Sequence, residues 1–342
     1  MRKQYKSLDL FKFIFAILVV MIHTRPLMDI SEAANWYFSN TVCMLAVPFF
    51  FMTSGFLLFD KLKSCNDKEK SNAVRKYVLH ILRMYLVWCV IWIPWQALNY
   101  YNLGHFDMYD MLDYIRRIIF VSGGDALWYL PALAFSVVAV YILKKRLSNI
   151  TIVLIAAAFY LFGVLIGTWY GAWENNSFVK AYYTVFLTTA NGLLFGFLFT
   201  SMGMYVAEQK TPLREGNFKS STLWFVFTFI LLVIESIVIR KAGMSKSNYQ
   251  FMLPVCVYTL FITILCIECK GEFYTRLRNY STLIYLSHCF IIRTIMLIAG
   301  IFDISLPYTV LFIITLALAL LFSQMVYYLA TNKNVRALKI LY

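Results

Sequence analysis

Windows of roughly 20 predominantly apolar residues recur along nearly the whole chain, and this feature restricts the possible folds more than any other. A bilayer core of about 30 Å is crossed by one helix of about 20 apolar residues. The windows fall at 8–27, 38–59, 77–98, 127–143, 150–170, 183–206, 221–239, 248–268, 281–300 and 307–330. The expected fold is therefore all-α, a polytopic membrane helix bundle with about ten transmembrane helices. A content of 61% hydrophobic and 14% charged residues lies outside the range of soluble globular proteins. No stretch is long and polar enough for a second domain, so residues 1–342 read as a single integral-membrane domain, without an internal repeat of the kind many transporters carry.

The formal net charge of +14 invites a nucleic-acid reading, but the placement of the charge points to a membrane. With the N-terminus inside, 21 lysines and arginines fall in inner segments and seven in outer ones. The outer seven are Arg25, Arg116, Arg117, Lys180, Arg240, Lys241 and Lys246. That asymmetry is the positive-inside rule, which places both termini in the cytoplasm and the chain in the cell membrane as a multi-pass protein, with the lipid bilayer and not nucleic acid as its partner.

The first apolar run is expected to stay as a helix. It carries Lys12 and His23 and is followed by Arg25-Pro26, not by a small-residue cleavage site. Five of the seven cysteines, Cys43, Cys89, Cys256, Cys266 and Cys289, fall within spans and read as small apolar residues. Cys266-x-x-Cys269 is a lone pair without a second pair or a histidine at ligand spacing, so no metal is expected. In "DMYDMLDYIRRIIF", 107–120, Met108, Met111, Leu112, Ile115, Ile118 and Ile119 recur at helical spacing opposite Asp110, Asp113 and Arg117. This predicts an amphipathic helix on the outer face, either packed as a lid or binding substrate.

Ionisable residues inside spans cost about 2.5–3.5 kcal/mol each on insertion scales and are functional candidates for that reason. They are Lys12, His23, His80, Arg83, Glu235, His288 and Arg293. Eleven steps of a helix bring His23 to within roughly 20° of Lys12, about 16 Å further along the axis. The two side chains share one face at opposite depths, which suggests a polar path through the bundle; a lysine so near a helix end can also snorkel. In "RKYVLHILRMYLVW", Arg75, Lys76, His80 and Arg83 form a basic cluster suited to phosphates. Glu235 is the one carboxylate deep in a span, and an ion pair with Arg293 is expected for it.

These residues stand in a recognisable order. Asp9 in "LDLFK", Lys12-x10-His23, "VPFFFMTSGFLL" at 47–58, "ALWYLPAL" at 126–133 and "IYLSHCFII" at 284–292 together resemble the integral-membrane acyltransferase-3 family across essentially the whole chain. Its O-acetyltransferases and the membrane half of the membrane-bound serine racemases are the most similar branches. The chain departs from the family pattern at His80-x-x-Arg83, where members often carry Arg-x-x-Arg, and it has neither an esterase-like nor a racemase domain, so the membrane domain would act alone or with a separate partner.

The resemblance implies transfer of an acetyl or succinyl group from cytoplasmic acyl-CoA, acetyl-CoA in the first instance, to a hydroxyl of an envelope glycan or a related small acceptor. On that reading Lys12, Arg83, His80 and Arg75 hold the donor. His23 is the catalytic base with His288 beside it, and Trp128, Tyr129 and Glu235 line the substrate pocket. Two other readings remain: a proton-coupled transporter of a small polar solute such as an amino acid, with His23 and Glu235 as relay, and a structural membrane subunit in which no intramembrane ionisable residue matters beyond stability.

Overall fold

The computed structural model describes residues 4–102, 104, 108–209, 218–243, 249–271, 273–332 and 335–342. Of the charges counted above, Arg2, Lys3, Lys210, Arg214, Lys246 and Lys333 lie outside the described residues. Thirteen α-helices and no strand are found among the described residues: α1 (Lys6–Thr24), α2 (Glu32–Thr41), α3 (Ala46–Leu62), α4 (Asp67–Asn102), α5 (Met108–Phe120), α6 (Tyr129–Leu143), α7 (Asn149–Gly167), α8 (Ser177–Phe186), α9 (Phe197–Ala207), α10 (Phe218–Ala242), α11 (Leu253–Leu265), α12 (Phe273–Ile301) and α13 (Tyr308–Thr331).

Among the described residues, seven helical stretches are long and apolar enough to cross a membrane by length and composition, where the sequence suggests ten spans. The other three, Tyr129–Leu143, Gly192–Ala207 and Leu253–Leu265, are apolar and helical but shorter. The window 183–206 is shortened because the chain breaks inside it. Leu187 takes a left-handed φ of 58°. Asn191 then caps a new start, its Oδ1 accepting from the N–H groups of Leu193 and Leu194 at 3.0 and 2.9 Å. A π-helical turn, Gly192–Gly196, leads into α9.

The core lies where α3 meets α9. A Cβ on Gly203 would run into the backbone of Met52, and one on Gly55 into that of Thr200, so both glycines let two backbones touch. Phe49, Phe51, Phe195, Phe199 and Phe261 pack around this contact, all buried. Outward from it α1 packs on α12 and α12 on α13, which brings the first, last-but-one and last spans side by side.

Helix α5 forms where the sequence places an amphipathic helix. Met108, Met111, Leu112, Ile115 and Ile119 are exposed and only Ile118 of the six packs against the core, while Asp113 pairs with both Arg116 and Arg117 at 2.6 Å. An open apolar stripe beside ion-paired polar residues is what an interfacial helix presents.

At the same end of the bundle the carboxylate of Asp29 caps α13, accepting from the N–H groups of Tyr308 and Thr309 at 3.1 and 2.7 Å. The Thr309 N–H, the Thr309 hydroxyl and the Tyr308 N–H hold the Asp29 carboxyl below its usual range. A depressed folded-state pKa gives stability that is present above the ordinary carboxylate value of about 3.9 and is lost as pH falls through the folded value. Resistance to thermal unfolding in detergent is therefore expected to fall on acidification below that range, and less steeply in Asp29→Asn; an identical acid slope in the two proteins would refute the assignment.

Candidate active site

Helix α4 turns one stripe, Tyr77, His80, Ile81 and Met84, toward α12 and α6, at the i, i+3, i+4, i+7 spacing of a single face. Opposite it, α1 contributes Lys12, α3 Phe50 and Ser54, α6 Tyr129, and α12 Arg278, Ser281, Thr282 and Tyr285. The chain's end folds back so that Lys339 and Tyr342 join them, with the Leu341 carbonyl accepting from Trp88 Nε1 at 3.3 Å. Together these residues enclose a cavity of about 720 Å³ at the end of the bundle where α1 begins and α13 finishes.

The cavity lining combines the cationic or titratable side chains of Lys12, His80, Arg278 and Lys339, the last three of them exposed, with hydroxyls and aromatic rings. Tyr129 and Ser54 share a hydrogen bond of 3.2 Å. The Tyr285 hydroxyl donates to the Ala126 carbonyl at 3.0 Å, which fixes its ring 5.4 Å from Tyr129 and 5.7 Å from Phe50. Four cationic or titratable side chains around an aromatic shaft suit a ligand with a polyanionic head and a narrow tail.

Beyond Tyr285, one turn along α12, lies His288, wholly buried, with its ring 6.0 Å from Tyr285. His23 reaches the same place from α1, the two imidazoles 5.0 Å apart. His288 Nδ1 lies 3.1 Å from the Ile284 carbonyl. A carbonyl oxygen only accepts, so Nδ1 carries the proton and Nε2 offers its lone pair. Cys289 Sγ sits 3.2 Å from that Nε2, and at the rim of this end Arg293 pairs with Asp125 at 2.9 Å.

The structure therefore joins Lys12, His80 and Tyr129 in one cavity and His23 with His288 in a second cluster, and the cavity lining stops at Tyr285 without including either histidine. Tyr285 stands between the two groups in sequence and contact, lining the cavity and lying 6.0 Å from His288. Arg83 and Arg75 are exposed on α4 outside the stripe that faces the cavity, so a cluster contiguous in sequence is divided by the helix around its circumference. Trp128 lies outside the cavity lining, in the aromatic core, 6.1 Å from Phe51 and 5.9 Å from Phe195.

Glu235 is also away from the cavity. Its carboxylate accepts from the N–H groups of Phe251 and Met252 at 2.6 and 2.8 Å and so caps α11, and the expected pair with Arg293 is replaced by Arg293–Asp125. Arg278, Lys339, Tyr77 and Tyr285, which sequence reasoning did not select, lie on the cavity instead.

The family model for the acyltransferase-3 acyltransferase domain matches residues 5–328. The chain belongs to this family. The match runs from just before α1 almost to the end of α13, so Lys12, His80, Tyr129, Arg278 and both histidines lie inside it, while Lys339 and Tyr342 lie beyond it. An amino-acid racemase of Enterococcus faecalis is 32% identical over 286 residues, 82% of this chain and 38% of the relative. A serine/alanine racemase of Enterococcus gallinarum is 29% identical over 265 residues, 76% of this chain and 37% of the relative. The chain thus spans less than two-fifths of the length of these curated relatives, and no solved structure matches it.

Proposed function

We propose that this acyltransferase takes an acetyl or succinyl group from acyl-CoA on the cytoplasmic side of the cell membrane and passes it to a hydroxyl of an envelope glycan or a related small acceptor on the other side. One observation carries the reading: a cavity lined by Lys12, His80, Arg278 and Lys339 extends to Tyr285, and one helical turn further on stand two imidazoles 5.0 Å apart. A donor with a phosphate-rich head and a long thin arm matches this order of parts. Lys12, Arg278, His80 and Lys339 receive the phosphates, and the pantetheine arm runs along Tyr129 to Tyr285.

The chemistry then needs the Tyr285 ring to swing aside, because it stands between the cavity and the histidines. The thioester carbonyl reaches the imidazole pair, and the acceptor hydroxyl meets it from the His23 side. As the hydroxyl oxygen attacks the carbonyl carbon, its proton passes to an imidazole; the carbon–sulfur bond breaks, and the imidazolium returns the proton to the leaving CoA sulfur. His23, on the exposed side, is the base that meets the acceptor, and His288 orients and polarises beside it. Both termini are cytoplasmic on this reading, in agreement with the asymmetry of positive charge.

The test uses the full chain in proteoliposomes, with labelled acetyl-CoA on one face and a hydroxylated glycan acceptor on the other. Label is expected in the acceptor as an ester. Uptake of a polar solute driven by a pH gradient, with no need for acyl-CoA and no ester formed, would overturn the proposal in favour of transport.

A further inference from the structure

We propose that His23, His288 and Cys289 form a binding site for a divalent transition metal of the zinc class. One donor atom from each, an imidazole nitrogen from the two histidines and Sγ from the cysteine, lie within 4.8 Å of one another. In a tetrahedral zinc site with Zn–N of about 2.0–2.1 Å and Zn–S of about 2.3 Å, ligand atoms stand about 3.3–3.8 Å apart. The 3.2 Å between Cys289 Sγ and His288 Nε2 is already close to that spacing, and the His23 donor atom lies within 4.8 Å of both.

His288 is arranged as metal-binding histidines are. Its far nitrogen, Nδ1, lies against the Ile284 carbonyl at 3.1 Å, which fixes the tautomer and aims Nε2 at the sulfur. His288 and Cys289 are buried whereas the His23 side chain is exposed, which assigns the approach of an ion to the His23 side. The donor set, two imidazoles and a thiolate, selects zinc and its borderline-soft neighbours over calcium or magnesium, which take oxygen ligands. As the metal–sulfur bond forms, the Cys289 thiol proton leaves to water and both imidazoles bind neutral. Cys266 and Cys269, from which the sequence leads to no metal expectation, are not among these donors.

A metal held here occupies the lone pairs that the proposed transfer uses, so zinc is expected to inhibit acyl transfer. That consequence rests on the acyl-transfer reading; the binding itself does not. The experiment titrates cobalt(II) into the purified full chain in detergent and follows the thiolate-to-cobalt charge-transfer absorption. One equivalent is expected to bind and to be displaced by zinc. The band should be lost in Cys289→Ser and shifted to at least about tenfold higher cobalt concentration in His23→Ala, and it should persist in a Cys65→Ser, Cys266→Ser, Cys269→Ser triple variant.

No band in the native chain, a band that survives Cys289→Ser, or one that vanishes with Cys266 and Cys269 would overturn the site. If Cys289→Ser does not fold, His23→Ala decides alone, since an exposed side chain is changed, and unaltered cobalt affinity there refutes the proposal. Metal binding without any acyl transfer by the metal-free chain would sink the catalytic reading and leave the site standing.

Discussion

His23→Ala is expected to lower the rate of acyl transfer about 10²- to 10⁴-fold, the range by which a positioned general base contributes. The loss should fall on kcat and leave donor binding nearly unchanged, because His23 lies in a different cluster from the cation-lined cavity. His23 is the better of the two histidines to test. Its side chain is exposed at the end of α1, whereas His288 is wholly buried against Ile284 and Cys289, and truncating it would also open a hole in the core. A purely structural role for His23 would move the unfolding temperature and leave the pH profile of the rate intact. A catalytic role removes the acid limb that titration of the base imposes. Undiminished transfer by the variant would take His23 out of the mechanism and leave His288 as the only imidazole at the site.

The pairing behind that prediction was half legible in the sequence. Helical geometry alone puts Lys12 and His23 on one face, and α1 does run unbroken from Lys6 to Thr24. What α1 packs against is a tertiary fact, and it decided the rest. Residues 284–289 lie more than 250 positions away, so only the docking of α1 on α12 shows that His23 meets His288, or that Cys289 joins them. The basic cluster of α4 is divided for the opposite reason: Arg75, His80 and Arg83 are close in sequence, and a helix spreads such neighbours around its surface, so only His80 lines the cavity. The break in the window 183–206 did carry a signal, Asn191-Gly192, a helix-start residue followed by a glycine. Glu235 carried one too, since a carboxylate in an apolar bundle must find donors, and the orphan N–H groups ahead of Pro254 at the start of α11 supply them.

The division of α4 makes the donor site the second sharp test. Arg278→Ala is expected to raise the KM for acyl-CoA about 10- to 150-fold, which corresponds to loss of one charge-assisted hydrogen bond of about 1.5–3 kcal/mol. Arg278 lines the cavity together with Lys12, with Asp9 as the carboxylate near both, so a polyanionic donor adds counter-charge to a site where cations outnumber acids. Lys12→Ala should act in the same direction, with weaker protection of the chain by CoA against thermal unfolding. Both effects should shrink as salt rises, since mobile ions screen a cavity lined by exposed cations. Arg83→Ala is the discriminating control: Arg83 points away from the cavity and its loss should leave KM unchanged. If instead Arg83→Ala raises KM while Arg278→Ala does not, the phosphates bind on the outer side of α4 and the cavity between α4 and α12 serves another ligand. An unchanged CoA-dependent unfolding shift in Lys12→Ala would leave that lysine as a side chain reaching for the interface, with its charge satisfied by water and by Asp9 one turn before it.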